Sequence, residues 1–146
     1  MNARQYLNRI RRYDNMIQQK REELEYLYSL ATSTGTRQLK ADMVQTSVEG
    51  DKVGRAVDRY VDLQREIEEM VGKFVREKNK IINLIQEMPD CRYEEILYLR
   101  YVKYYRLEQI ACIMRKENGT PYSYDHISHL HSQALRSFEK ILNRIK

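Results

Sequence analysis

The densest hydrogen-bonding chemistry in the sequence is a polar set near its end: Ser123, Tyr124, Asp125, His126, Ser128, His129, Ser132, Gln133 and Arg136. These residues alternate with Ile127, Leu130, Ala134, Phe138 and Ile141, whose spacing puts the apolar side chains on one helical stripe and the polar set opposite. A carboxylate, an imidazole and a carboxamide on one helix face are groups that read base-pair edges. Asp125 can accept from a cytosine amino group, and Gln133 or His129 can pair with purine edges in a major groove. Ser123, Ser132 and Tyr124 suit phosphate oxygens, as do the cationic Arg106, Arg115, Lys116 and Arg136, which fix register without reading sequence.

Other chemistry finds less support. His126, His129 and His131 do not share one helical face, and no cysteine or carboxylate stands at a zinc-like spacing from them, so neither metal nor cofactor is expected. The three imidazoles are expected to face solvent or DNA, with packing in the core as the alternative; a charge change near neutrality at a DNA-facing imidazole would make DNA affinity respond to pH. No phosphate-cradling glycine loop, activated nucleophile or carboxylate pair beside an apolar pocket is present, and an enzyme is not expected.

The elements that must position the polar set precede it. Ser123 stands where a helix N-cap would, and Pro121 stops the preceding loop from being helical. Upstream, Ile96, Leu97, Leu99 and Val102 mark one short amphipathic helix, and Leu107, Ile110, Ala111 and Met114 mark a second. Ala111 is small, as needed where two helices cross closely. Three such helices form a wingless helix-turn-helix, a module that lays one polar helix face in a major groove. Tyr98, Tyr101, Tyr104 and Tyr105 cluster beside it, as a seal over a small core with hydroxyls reaching water or as a docking surface for a protein.

Glu95-Ile96-Leu97-x-Leu99-Arg100-Tyr101, Leu107-Glu108-x-Ile110-Ala111 and Ser123-x-x-x-Ile127-x-x-Leu130-x-x-x-Ala134-Leu135-x-x-Phe138 together resemble region 4 of the sigma-70 family of RNA polymerase sigma factors. The resemblance implies that Ser123, Tyr124, Asp125, Ser128 and His129 face promoter DNA, with Gln133 nearer the backbone. The family usually carries arginines on that face and has a shorter turn than Arg115 to Tyr122. Through Ala3-x-x-Tyr6-Leu7-x-x-Ile10, Val44-Gln45-Thr46-Ser47 and Leu130-His131-x-x-Ala134-Leu135, the whole chain resembles uncharacterised phage and prophage proteins of Gram-positive bacteria taken to be transcriptional regulators.

Upstream of the module the chain keeps a seven-residue beat. Val53, Tyr60, Ile67, Phe74, Ile81 and Met88 form one row, with Ala56, Leu63, Met70 and Leu84 beside it. That is a coiled-coil seam, and it predicts a helix from about Asp51 to Glu87, ended by Met88-Pro89. Ala3, Ile10, Ile17, Leu24 and Ala31 repeat the spacing and predict a helix from about Ala3 to Leu30. Between them, residues 32–51 are rich in Ser, Thr and Gly and are expected to be a loop, with at most a short helical turn. The two helices can fold back on each other as a hairpin or pair with a second chain; the period suits both.

Composition bounds the rest. With 32% charged residues, five glycines and two prolines in 146 residues, the expectation is all-α. The expected domains are a helical hairpin or coiled coil for oligomerisation over residues 1–88, with its loop at about 32–51, and a DNA-binding helix-turn-helix over 90–146. A net charge of +5 suits double-stranded DNA without forming a polybasic tail. Two cysteines, no membrane-length apolar run and no signal-peptide core lead to an expected cytoplasmic protein with no membrane partner. The function expected is sequence-specific transcriptional regulation by a homodimer or higher homo-oligomer. The alternatives are a DNA-packaging protein like a terminase small subunit, and a module that binds RNA polymerase or a sigma factor by protein contact.

Overall fold

The computed structural model describes residues 1–38 and 46–145, with side chains for 1–32 and 52–145. The described residues form an all-α fold: α1 (Ala3–Leu7), α2 (Arg9–Gln38), α3 (Thr46–Gln86), α4 (Cys91–Leu97) continued by a π-helical turn (Tyr98–Val102), α5 (Leu107–Ile113) and α6 (Tyr124–Ile145). No helix among them is long and apolar enough to cross a membrane.

Two helices outrun their expected ends. Residues 32–38 continue α2 and residues 46–51 already belong to α3, where a loop was expected across 32–51; the intervening part of that loop, with Val44 and Gln45, lies outside the described residues. Serine, threonine and glycine lower helix propensity by only about 0.5–1 kcal/mol each, too little to stop a helix already propagating.

The chain divides into two compact units: Met1–Arg12 with Phe74–Lys146, and Tyr13–Lys73. This division departs from the boundary expected near residue 89. The cause is packing. Ala3, Leu7 and Ile10 from the first helices, Ile81 and Ile85 from the end of α3, and Met88 just beyond it are buried in one core with Ile96, Ile110, Leu130 and Phe138. The heptad spacing of Ala3 and Ile10 thus serves a globular core that includes α6.

In the unit Tyr13–Lys73, Leu27, Leu63 and Ile67 are buried together, with Leu24, Tyr60 and Val71 against them. Lys20 reaches Glu66 at 2.9 Å and the Tyr28 and Tyr60 rings meet at 6.2 Å, so α2 and α3 pair antiparallel as a hairpin. Arg59 also reaches Glu66 at 3.3 Å.

In the other unit each helix end has a local cause. Asn2 accepts from the Gln5 backbone N–H at 2.8 Å, while the Gln5 side chain accepts from the Asn2 N–H at 3.1 Å, a reciprocal box that starts α1. Asn8 keeps right-handed helical angles between α1 and α2, with Arg12 N–H bonded back to its carbonyl at 3.0 Å. Beyond α3, the N–H groups of Glu87 and Met88 turn to the carbonyls of Leu84 and Ile85, tightening the last turn before Pro89. Asp90 then caps α4, accepting from Arg92 N–H at 2.9 Å.

The chain leaves α4 through the π-helical turn and reverses at Tyr104, whose φ of 63° lies in the left-handed region that a bulky side chain seldom occupies. Two arginines brace that reversal: Arg100 donates to the Tyr105 carbonyl at 3.0 Å, and the Arg11 guanidinium lies 5.5 Å from the centre of the Tyr104 ring. Between α5 and α6 the long turn closes on itself. Arg115 and Pro121 form an isolated antiparallel bridge, Gly119 takes φ 81° at the tip, and Asn118 accepts from Thr120 N–H at 3.1 Å.

Candidate nucleic-acid interface

Helix α6 begins as its sequence dictates. Ser123 Oγ accepts from His126 N–H at 3.2 Å, satisfying one of the donors a helix start leaves open, and Asp125 in the first turn complements the positive end of the helix dipole. Its apolar stripe is fully used: Ile127, Leu130, Ala134 and Phe138 are buried, and Phe138 meets the Tyr6 ring at 6.2 Å. Ile110, Ala111 and Met114 of the preceding helix segment lie in the same core.

Residues on a helix are about 100° apart. Opposite the buried stripe, Asp125, His129, Ser132 and Arg136 make one exposed row, with Tyr124 exposed at its start. From Asp125 to Arg136 the row runs roughly 16 Å at 1.5 Å per residue, within the reach of a major groove. It holds one carboxylate and one guanidinium and is neutral overall. The Ser132 hydroxyl donates back to the Ser128 carbonyl at 3.2 Å.

The structure does not bring every expected residue onto that row. Gln133 is half-buried on one flank, where its side-chain oxygen accepts from the Tyr93 hydroxyl at 3.3 Å. His126 lies half-buried on the same flank, edge-on to the Tyr122 ring at 4.9 Å. Ser128 is half-buried on the other flank. Arg106 is exposed at the start of α5, with its N–H bonded to the Gln109 side chain at 3.0 Å. Arg115 is exposed and folds back along its own chain, donating to the carbonyls of Cys112 and Met114 at the end of α5. Lys116 holds its ammonium 5.7 Å from the Tyr122 ring centre.

One histidine takes the alternative course and packs in the core. His131 is only 6% exposed, and its Nε2 is 2.9 Å from the Tyr101 hydroxyl, with the two rings stacked at 5.7 Å. Burial, then the charges of Arg4 and Arg100, push its pKa down to about 4, so it is neutral near pH 7. Burial likewise raises the Tyr101 pKa, and its hydroxyl, expected to reach water, is satisfied inside. The signal was in the sequence: His131 follows Ile127 by four residues and precedes Phe138 by seven, which is the buried stripe. Nothing in the sequence pattern tied Arg4 to this place.

Asp90 and Arg92 form a bidentate pair beside the start of α4, with Arg92 Nη2 2.9 Å from Oδ2, and that contact lowers the Asp90 pKa. The cleft between this pair, Lys116 and His126 carries both signs of charge, with Glu95 and Glu117 also lining it. Among the described residues no three His, Cys, Asp or Glu side chains come together as a metal site.

No protein-family model, no curated protein and no solved structure matches the chain.

Proposed function

We propose that the protein binds double-stranded DNA at specific sequences and regulates transcription in the manner of phage and prophage regulators, with α6 as the reading helix. The observation that carries this reading is the exposed row Asp125, His129, Ser132 and Arg136, held on a helix whose opposite side is buried against α5 and the rest of its core. Amphipathic presentation of that kind fits an α-helix into a major groove, where residues near the helix start meet base edges and later ones meet the backbone. Asp125 accepts from a cytosine amino group, His129 pairs with a purine edge, and Ser132 and Arg136 contact phosphates. Lys116 and Arg106 add sequence-independent contacts. The resemblance of residues 93–138 to sigma region 4 supports the same orientation.

The row is neutral, so one copy binds weakly and a specific site needs two copies on two half-sites. The hairpin of α2 and α3 supplies the pairing surface, since Val57 and Val61 stay 46% and 47% exposed on α3 and Met16 and Leu30 are exposed on α2. Sedimentation equilibrium is expected to give a dimer.

The test is selection of duplex fragments from phage and host genomic DNA by the purified protein, followed by gel shift on the selected site. Asp125→Ala with His129→Ala is expected to relax base preference, costing about 1–3 kcal/mol of discrimination for each lost contact. Lys116→Ala is expected to weaken all sites alike. Failure to retain any duplex at low salt, or an unchanged preference in the double variant, would falsify the assignment of α6.

A further inference from the structure

Several cations in the unit that contains α6 are engaged by acids or carbonyls. Arg9 and Lys80 face Glu77, Arg92 is paired with Asp90, and Arg115 is held by carbonyls at the end of α5. Others have no acidic partner, among them Arg100, which donates to the Tyr105 carbonyl. Among the described residues, Arg4, Arg11, Arg100 and Lys103 form no salt bridge with a carboxylate. Aromatic rings hold two of them: Arg11 over Tyr104 and Lys103 at 5.8 Å from the Tyr98 ring centre. Arg4 and Arg100 flank the buried Tyr101 and His131, and their charges act on both. The neutral pair beneath them offers no countercharge, and its low-dielectric surroundings throw their field outward.

The place of this patch matters as much as its sign. On α6, Ser128 falls between the direction of His131 and that of the exposed row, so the patch borders the row on its Ser128 side. A groove-bound helix has a phosphate strand along each flank.

We propose that Arg4, Arg11, Arg100 and Lys103 form a phosphate-holding flank of the DNA site, so that the first dozen residues of the chain contribute to binding by α6. The inference rests on the assignment of α6 as the reading helix. It makes the site composite: base edges are met by α6, and one backbone strand is met by α1, the start of α2 and the π-helical turn.

The experiment is fluorescence anisotropy with the full chain and a fluorescein-labelled, mixed-sequence 30-base-pair duplex, titrated from about 50 to 200 mM KCl, the range over which phosphate contacts dominate. Arg4→Gln with Arg100→Gln is expected to make the slope of log K against log salt shallower by about 1.8, as loss of two phosphate contacts requires. Arg4→Lys with Arg100→Lys is expected to keep the slope, which a merely structural role would not distinguish by charge. Arg11→Gln with Lys103→Gln is an independent pair, decisive if the first glutamine variant fails its thermal melt. Unchanged slopes in folded glutamine variants overturn the flank and leave α6 standing. No binding by the wild-type chain at any salt overturns both.

Discussion

Acid should weaken this protein through one buried histidine, and the size of the effect follows from the structure. His131 has an ordinary pKa of 6.5 and is pushed down to about 4 in the fold, by burial first and by Arg4 and Arg100 second. The unfolded chain therefore takes up a proton as pH falls before the folded chain does. The stability this group holds is complete above 6.5, falls between 6.5 and 4, and is gone below both values. A displacement of that size corresponds to about 3 kcal/mol at its limit, of which about 2 kcal/mol is lost by pH 5. The pKa values of Glu66 and Asp90 are lowered by Lys20 and Arg92 respectively, so their own contributions to stability are lost at lower pH than that of His131. The assay is urea unfolding from pH 7.5 to 5, comparing the wild type with Tyr101→Phe/His131→Leu, which removes both polar partners and leaves neither orphaned. The wild type is expected to lose about 2 kcal/mol more than the variant over that range. Equal losses in the two proteins would refute the account of a neutral, buried His131.

Two further substitutions test how α6 is held. Phe138→Ala empties the centre of the core shared by Tyr6 and α6 and is expected to cost about 3–5 kcal/mol in denaturant unfolding. Ser123→Ala removes the acceptor for His126 N–H and is expected to cost roughly 0.5–2 kcal/mol, read as a lowered Tm, while Ser123→Gly should cost only a few tenths.

The sequence carried the interior of α6 well because an amphipathic helix states its own buried side: Ile127, Leu130, Ala134 and Phe138 are spaced for one stripe and all are buried. The Ser123 cap and the stop at Pro89 were legible for the same reason, since both act on neighbouring backbone. What a period cannot state is the partner. Ala3, Ile10 and Ile17 keep equal spacing, yet Ala3 and Ile10 join the core that contains α6. The polar set was drawn wider than the exposed row: His126 packs edge-on to Tyr122 and Gln133 turns to Tyr93, contacts that residue type alone does not state. The extension of α2 and α3 beyond the expected loop shows weak propensity yielding to helix propagation.

The placement of Ala3, Leu7 and Ile10 beside Ile85 and Phe138 has a practical consequence. A fragment cut at Asp90 would carry α6 with one wall of its interior stripped to water, and such a piece should be molten or sticky. Helix α6 with its neighbours α4 and α5 is therefore no detachable cassette.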